Sequence, residues 1–427
     1  RTRTTNVLDI FYRYGRRTTI FNKINMANTF KFGNGNWATK EGSTLAYNDE
    51  NGNFKPLPFD FSRDSKATVI NKDGLIETVG SGQPRIDYKD DSKGALLLEP
   101  QRTNLITYSE DFSQWGKLNS TVTSDLITSP DGTQNSDLIN YNTSSNSGYI
   151  RLSHSASQCV SFYVKHKDMQ WLMVYGSGLG AGKFVDIENS VVGSDVGSGA
   201  NIQIIDAGND WKRIIFTSSS ANITQTSIYA ATSDGSYSSI TLIAGVYIYG
   251  AQAELGSYPT SYIPTQGSAV TRVADSCNNG GNDQVINSTE GVLYTEISTL
   301  ANDGSRAVSI SSGSNSNRVS ISYNTNGRVD ANVLSGGVYQ AIFNYTGVVN
   351  PNIQNKIAFK YKANDFALWV NGVEVATDSS GNTPIGLNVL NFSTANTSSE
   401  KWYGNVKDLK VYNTALSDSE LAALTQV

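Results

Sequence analysis

Residues 240–265 read ITLIAGVYIYGAQAELGSYPTSYIPT, and the change of character within this stretch decides the fold. In its first half Val246 and Ile248 alternate with Tyr247 and Tyr249, the period of two that sends successive side chains to opposite faces of a β-strand. In its second half Pro259 and Pro264 exclude both helix and pairing within a central strand. Residues 240–250 therefore read as the last core strand of a β-sandwich. Residues 256–270 read as the extended exit from it, with Tyr258 and Tyr262 laid against the sandwich just completed.

Upstream, the same alternation recurs in CVSFYVKH (159–166), WLMVYG (171–176), KFVDIE (183–188), ANIQIID (200–206), WKRIIFTS (211–218) and TSIYAAT (226–232), each bounded by Gly, Asn, Asp or Ser. Strands at such spacing predict two antiparallel sheets packed face to face, a jelly roll of about 160 residues over 106–265. Trp211 opens one of these strands and is assigned to its core. The segment GSGLGAGK (176–183) lacks the Ser or Thr that would follow in a phosphate-binding loop and reads as a hairpin loop.

Downstream of a linker over 266–285, a second sandwich is expected over 286–427. In KIAFKYK, Ile357, Phe359 and Tyr361 point inward while Lys356, Lys360 and Lys362 face water. Asn371-Gly372 separates two alternating runs as a tight hairpin turn. One helix is expected near the end, where Ser417 caps and Glu420 completes a capping box ahead of Leu421 and Leu424.

The first 105 residues are harder to place. Asn71-Lys72-Asp73-Gly74 marks a hairpin inside a short β connector region, 59–105, whose apolar content is too small for a core of its own. That region must lean on a neighbour or on other copies of itself. Residues 1–58 read as an N-terminal segment that serves for attachment or is partly disordered. Within it Arg1, Arg3, Arg13, Arg16, Arg17 and Lys23 stand against one acid, Asp9, and two readings stay open. Either translation begins at Met26 and the stretch before it is an extension, or 1–25 is a basic arm for an acidic partner.

Composition agrees with an all-β chain: 38 glycines, 22 tyrosines and three methionines in 427 residues, 17% charged. A net charge of -5 argues against nucleic acid, whose phosphates need a basic face. No uncharged apolar run approaches the ~20 residues of a membrane helix, so no membrane insertion is expected. Cys159 and Cys277 are too few and too far apart for a disulfide framework or a zinc site and read as free thiols. Two histidines, His154 and His166, with no nucleophile elbow and no locally spaced carboxylate pair, make an enzyme the weaker reading.

Several segments carry a resemblance: GLIETVGSGQPRIDY, GALLLEPQRTNLITYSEDFSQW, SPDGTQNSD, GNDWKRIIFT and GAQAELGSYPTSYIPTQGSAVTRVAD. They resemble a module of bacteriophage virion proteins, especially tail-fibre and head-fibre adhesins, and the central part resembles carbohydrate-binding-module jelly rolls. LWVNGVEVA and VYNTALSDSELAAL are similar to laminin-G and concanavalin A-like sandwiches. The resemblance spans residues 59–427. It implies a place on the virion surface after assembly in the host cytoplasm, a homotrimeric fibre bound to other virion proteins, and contact with host-surface glycans. The alternatives are a structural spacer without glycan binding and, third, a polysaccharide-degrading enzyme.

Sugars are gripped by aromatic faces with amide and carboxylate partners for their hydroxyls. The candidates are Trp171 and Tyr175, on one face of a strand; Tyr229 and Tyr237, flanking a Ser-Asp-Gly turn; Trp369, on the outward side of the hairpin; and Trp402 with Tyr403 before the last strand. For each, the competing reading is core packing or a subunit contact. By analogy with binding-module jelly rolls, a structural calcium would draw on Asp111, Asp131, Asp137 and Glu254, because a hard cation takes oxygen ligands.

Overall fold

Strands this short and this frequently turned bury their apolar parity only against a second sheet. The computed structural model describes residues 30–40, 44–48, 54–56, 59–220, 222–347, 349–395 and 399–427, and their regular structure is almost all strand. The basic stretch 1–25 and Met26 lie outside the described residues.

The jelly roll consists of two six-stranded antiparallel sheets. One runs in the order Gly116–Leu118, Tyr149–Ser157, Ile223–Ala231, Trp171–Ser177, Ala181–Asp186, Val191–Val196; the other, Ser120–Thr128, Gln134–Asn146, Ile240–Glu254, Cys159–His166, Trp211–Ser218, Ala200–Asp206. Val160, Phe162, Val164, Leu172, Val174 and Phe216 meet between them, fully buried. The exit segment behaves as its prolines and tyrosines predict. Tyr262 is buried against Tyr163, Tyr249 and Trp211, and its hydroxyl donates to Ser109 Oγ at 2.7 Å. Tyr258 is half-buried with the Arg102 guanidinium 5.1 Å from its ring centre.

In the second sandwich, a five-stranded sheet (Val338–Tyr345, Val329–Ser335, Arg318–Tyr323, Arg306–Ser311, Val389–Asn391) faces a larger one (Val373–Asp378, Phe366–Val370, Asn355–Lys362, Glu290–Thr299, Gly404–Tyr412). The free edge of Gly404–Tyr412 is completed from the other end of the chain. Phe30–Gly33 pairs with residues 408–411, Ala95–Leu98 pairs with residues 404–406, and Arg85–Asp87 follows. Phe32, Phe59, Leu96 and Leu98 enter the same core as Phe392 and Leu409.

Two expectations change. The sandwich is not confined to 286–427, and the strands of 59–105 find their neighbour within the same chain, so the need to bury them is no argument for a trimer. The stretch 266–285 is also no loose linker: Val270–Arg272 pairs with Arg102–Asn104, Ser276–Asn278 pairs with Asp60–Ser62, and Cys277 is buried. The chain thus leaves the C-terminal sandwich at Asn104, builds the jelly roll, and returns beside its point of departure at Val270.

A buried charge network holds this joint. Arg85 Nη1 lies 2.6 Å from Glu99 Oε2, and its other nitrogen bonds Asp275. Arg63 Nη1 reaches Asp275 at 3.0 Å and Arg272 Nη1 reaches Glu99 at 2.8 Å. Ser261 adds its N–H and hydroxyl to Glu99 at 2.7 and 2.6 Å. Burial alone would raise the Glu99 carboxyl; Arg272, Arg85 and Ser261 overcome this and hold it at about 2.

The outer face of the larger C-terminal sheet is not left to water. Ser417 caps the helix Asp418–Thr425, its N–H donating to Glu420 at 2.8 Å to complete the capping box. This helix covers Val292, Tyr294, Ala358, Ala367 and Trp369. Lys360, expected in water, is buried and paired with Asp365 at 2.7 Å.

Candidate functional site

The jelly-roll sheet that starts at Gly116–Leu118 spends one parity on the core, with Ile150, Leu172, Val174, Val185 and Ile228 pointing inward. The other parity is aromatic. Register sets Tyr149 opposite Tyr229, Tyr229 opposite Met173 and Met173 opposite Phe184, a row across four strands. Trp171 stands in the next row opposite Ala231, and Tyr175 on the other side opposite Ser227. Tyr237 folds in from the loop after Ala231, its ring centre 5.4 Å from that of Tyr229 and 5.8 Å from that of Phe184.

Met173 and Phe184 form a buried floor, while Tyr149, Trp171, Tyr175, Tyr229 and Tyr237 are half-buried and show part of their faces. Tyr149 and Tyr229 lie 4.9 Å apart, tilted at 58°. Trp171 sits against backbone: a Cβ at Gly193 would come within 2.8 Å of its ring. The turn that carries Tyr237 is latched, because Asp234 Oδ1 accepts from both the N–H and the hydroxyl of Ser194 at 2.8 Å. Burial, with Tyr149 and Tyr237 alongside, pushes the Tyr229 phenol up, so it stays a neutral hydroxyl able to donate and accept. A platform of this kind offers C–H-binding faces ringed by hydroxyls.

Four of the seven aromatic candidates, Trp171, Tyr175, Tyr229 and Tyr237, therefore come together. The other three do not join them. Trp369 is buried beneath the C-terminal helix. Trp402 is 1% exposed and packs in the C-terminal core, 5.8 Å from the Tyr323 ring. Tyr403 is half-buried with the Arg306 guanidinium 5.1 Å from its ring centre. Sequence reasoning passed over Tyr149, Arg151, Met173, Phe184 and the Asp234 latch. Tyr149 and Arg151 were detectable as the outward parity of YIRL, against Ile150 and Leu152.

The acids considered for calcium accept hydrogen bonds from protein donors. Asp111 Oδ1 accepts from the Ser113 N–H at 3.1 Å. Asp137 accepts from the N–H groups of Phe112 and Asp125 at 3.0 and 3.1 Å, and burial pushes it up to about 6. Asp131 accepts from Thr133, Ser129 and Tyr249, and Glu254 from Gln252 and Thr260. Among the described residues no group of three or more His, Cys, Asp and Glu is placed to hold an ion.

A cavity of about 560 Å³ lies at the joint between the sandwiches, lined by Asp87, Tyr88, Tyr163, Arg213 and Pro259 among others. Arg213 Nη2 in its wall donates to Ser161 Oγ and the Thr260 carbonyl, both at 2.9 Å.

Residues 295–422 match a family model described as the concanavalin A-like lectin/glucanases superfamily, so the C-terminal sandwich has the fold expected from its sequence. No curated protein matches the chain. Solved structures with some likeness include the CBM40 of the Ruminococcus gnavus IT-sialidase (19% identity, covering 35% of this chain and 93% of that one, TM-score 0.30). Others are domains LG4-5 of the mouse laminin α1 chain (10%, 66% and 93%, 0.23) and the Trypanosoma rangeli sialidase (9%, 93% and 98%, 0.28). Likeness this distant carries no argument about ligand.

Proposed function

We propose that this chain is a non-catalytic glycan-binding protein whose working surface is the aromatic face of the jelly roll. The observation that carries the reading is the convergence of Tyr149, Trp171, Tyr175, Tyr229 and Tyr237 on one sheet face, over a buried Met173–Phe184 floor. The lectin-type family match of the second sandwich agrees with it. The virion setting follows from the sequence resemblance: a phage tail or head fibre, at the particle surface, adhering to host glycans. Several copies on one particle would turn weak contacts into useful avidity.

The test is a glycan microarray probed with the full chain. Trp171→Ala and Tyr229→Ala are expected to abolish specific signal, while Trp402→Phe, in the C-terminal core, keeps it. Absence of glycan binding by a folded chain would instead favour a spacer role, and release of reducing ends from a bound polysaccharide would favour an enzyme.

A further inference from the structure

The row beside the Tyr149–Tyr229 pair has a different make-up. Reading across the sheet it runs Gly116, Arg151, Ser227, Tyr175, Gly182, each opposite the next. Between Arg151 and Tyr175 the only intervening side chain is that of Ser227, which is buried. At the strand spacing of a sheet those two positions stand roughly 10 Å apart. Ser227 is covered by its neighbours, so what the row presents at the surface is the half-buried Tyr175 at one end and the exposed Arg151 guanidinium at the other.

Arg151 is held in place at this end. Its stem runs over Gly116, where an added Cβ would lie 3.6 Å from the Arg151 Cγ. Its guanidinium lies 5.1 Å from the centre of the Tyr149 ring, a cation–π contact that orients it without using up its hydrogen-bond donors. The residue is exposed and forms no ion pair among the described residues. The acids near this face are committed: Asp186, opposite Trp171, accepts from Gln170 and Asn189 at 2.7 and 2.9 Å, and Asp234 accepts from Ser194. An oriented, unpaired guanidinium beside aromatic faces suits one ligand group above others, a planar carboxylate met by two parallel N–H donors.

We infer that this face selects glycans that carry a carboxylate on a pyranose ring, the ring lying against the half-buried Tyr149–Tyr229 pair and the carboxylate pairing with Arg151 beside it. This rests on the glycan-binding reading given above and adds the sugar class and its selecting residue.

The experiment prints alginate, polygalacturonate and hyaluronan fragments beside their carboxyl-reduced derivatives, with dextran and dextran sulfate, and probes them with the full chain, Arg151→Gln, Arg151→Lys and Tyr229→Ala. Binding to at least one native acid form, on the order of tenfold to a hundredfold tighter than to its reduced partner, is expected. Arg151→Gln removes that preference, Arg151→Lys restores it only in part, and Tyr229→Ala weakens every ligand. Equal binding of native and reduced forms, still lost in Tyr229→Ala, overturns the carboxylate inference and leaves glycan binding intact. Dextran sulfate bound as well as the uronates also overturns it, since bare charge would then suffice. Silence of the acid forms while neutral glycans on the microarray bind overturns the carboxylate inference alone, and silence of the whole microarray sinks both readings.

Discussion

The C-terminal sandwich borrows strands from the start of the chain, and this has a measurable consequence. A fragment of residues 286–427, the piece that sequence patterning alone would excise, loses the buried side chains of Phe30, Phe32, Phe59, Leu96 and Leu98, exposed by 6, 1, 7, 0 and 1% respectively. At about 1.5–3 kcal/mol for each large apolar side chain removed from water, their absence costs about 7–15 kcal/mol. Net stabilities of single domains are about 5–15 kcal/mol, so nothing is left to hold the fragment folded. It also exposes the paired edge of Gly404–Tyr412, an invitation to aggregate. In the complementary chain the jelly roll is cut out and residue 105 is joined to 266 by a short Gly-Ser linker. This chain keeps all five side chains, and its cut ends are neighbours, since Tyr108 bridges Gln266. Urea titrations followed by tryptophan fluorescence and far-ultraviolet circular dichroism should show a cooperative transition for the excised chain and none for 286–427. A cooperative, monomeric unfolding transition of 286–427 alone would refute the reasoning.

Other expectations concern pH and the latch of the aromatic face. Glu99 is held at about 2 against an ordinary 4.5. Its folded-state value is depressed, so its contribution is complete above pH 4.5 and is lost as pH falls through about 2; the difference is on the order of 3 kcal/mol. Asp87 and Asp137 go the other way: burial lifts both to about 6 from an ordinary 3.8. Their ionisation penalty is relieved as pH falls from 6 towards 4. Calorimetry should therefore find Tm rising from about pH 7 to about pH 5 and falling steeply below about pH 4, with the acid limb shallower in Glu99→Gln. A Tm that only falls between pH 7 and 5 would contradict the assignment of Asp87 and Asp137. At Gly193 a methyl group would lie 2.6 Å from Asp234 Oδ1 and 2.8 Å from Trp171. Gly193→Ala should thus displace both and weaken glycan binding, yet shift the urea midpoint little, because this edge strand buries little of the core; a large midpoint shift with unchanged binding would contradict that.

Local chemistry was readable from sequence, and long-range pairing was not. The turns at Asn71–Gly74 and Asn371-Gly372 show in the text because a positive φ narrows the choice of residue, and Gly74, Asn371 and Gly372 do adopt it, at 76°, 49° and 85°. Cys159–His166 and Trp211–Ser218 were found to the residue because their inward parity is continuous Val, Ile and Phe. Ser120–Thr128 and Val191–Val196 escaped because they are edge strands, polar and largely exposed, whose apolar residues are too few to reveal a period. Nothing in ALLL says that its partner lies some three hundred residues downstream: register is fixed by the assembled sheet, and a strand's own pattern specifies a face, not a neighbour.

The same limit explains which aromatic candidates come together. Trp171 and Tyr175 share a parity, which the sequence states, but whether that parity meets solvent depends on a layer it does not state. Trp369 has an equally outward position, and the helix Asp418–Thr425 lies over it. Over the aromatic face of the jelly roll the described residues lay the latched turn of Asp234 and Tyr237, which props the edge of the platform, and the rings there stay half-buried. Two sheets of comparable make-up thus end in different roles. One outer face is closed by a helix and becomes core; the other carries, among the described residues, a tyrosine-bearing turn that leaves its rings half-buried, and it is this difference in cover on which the proposed binding role of the aromatic face rests.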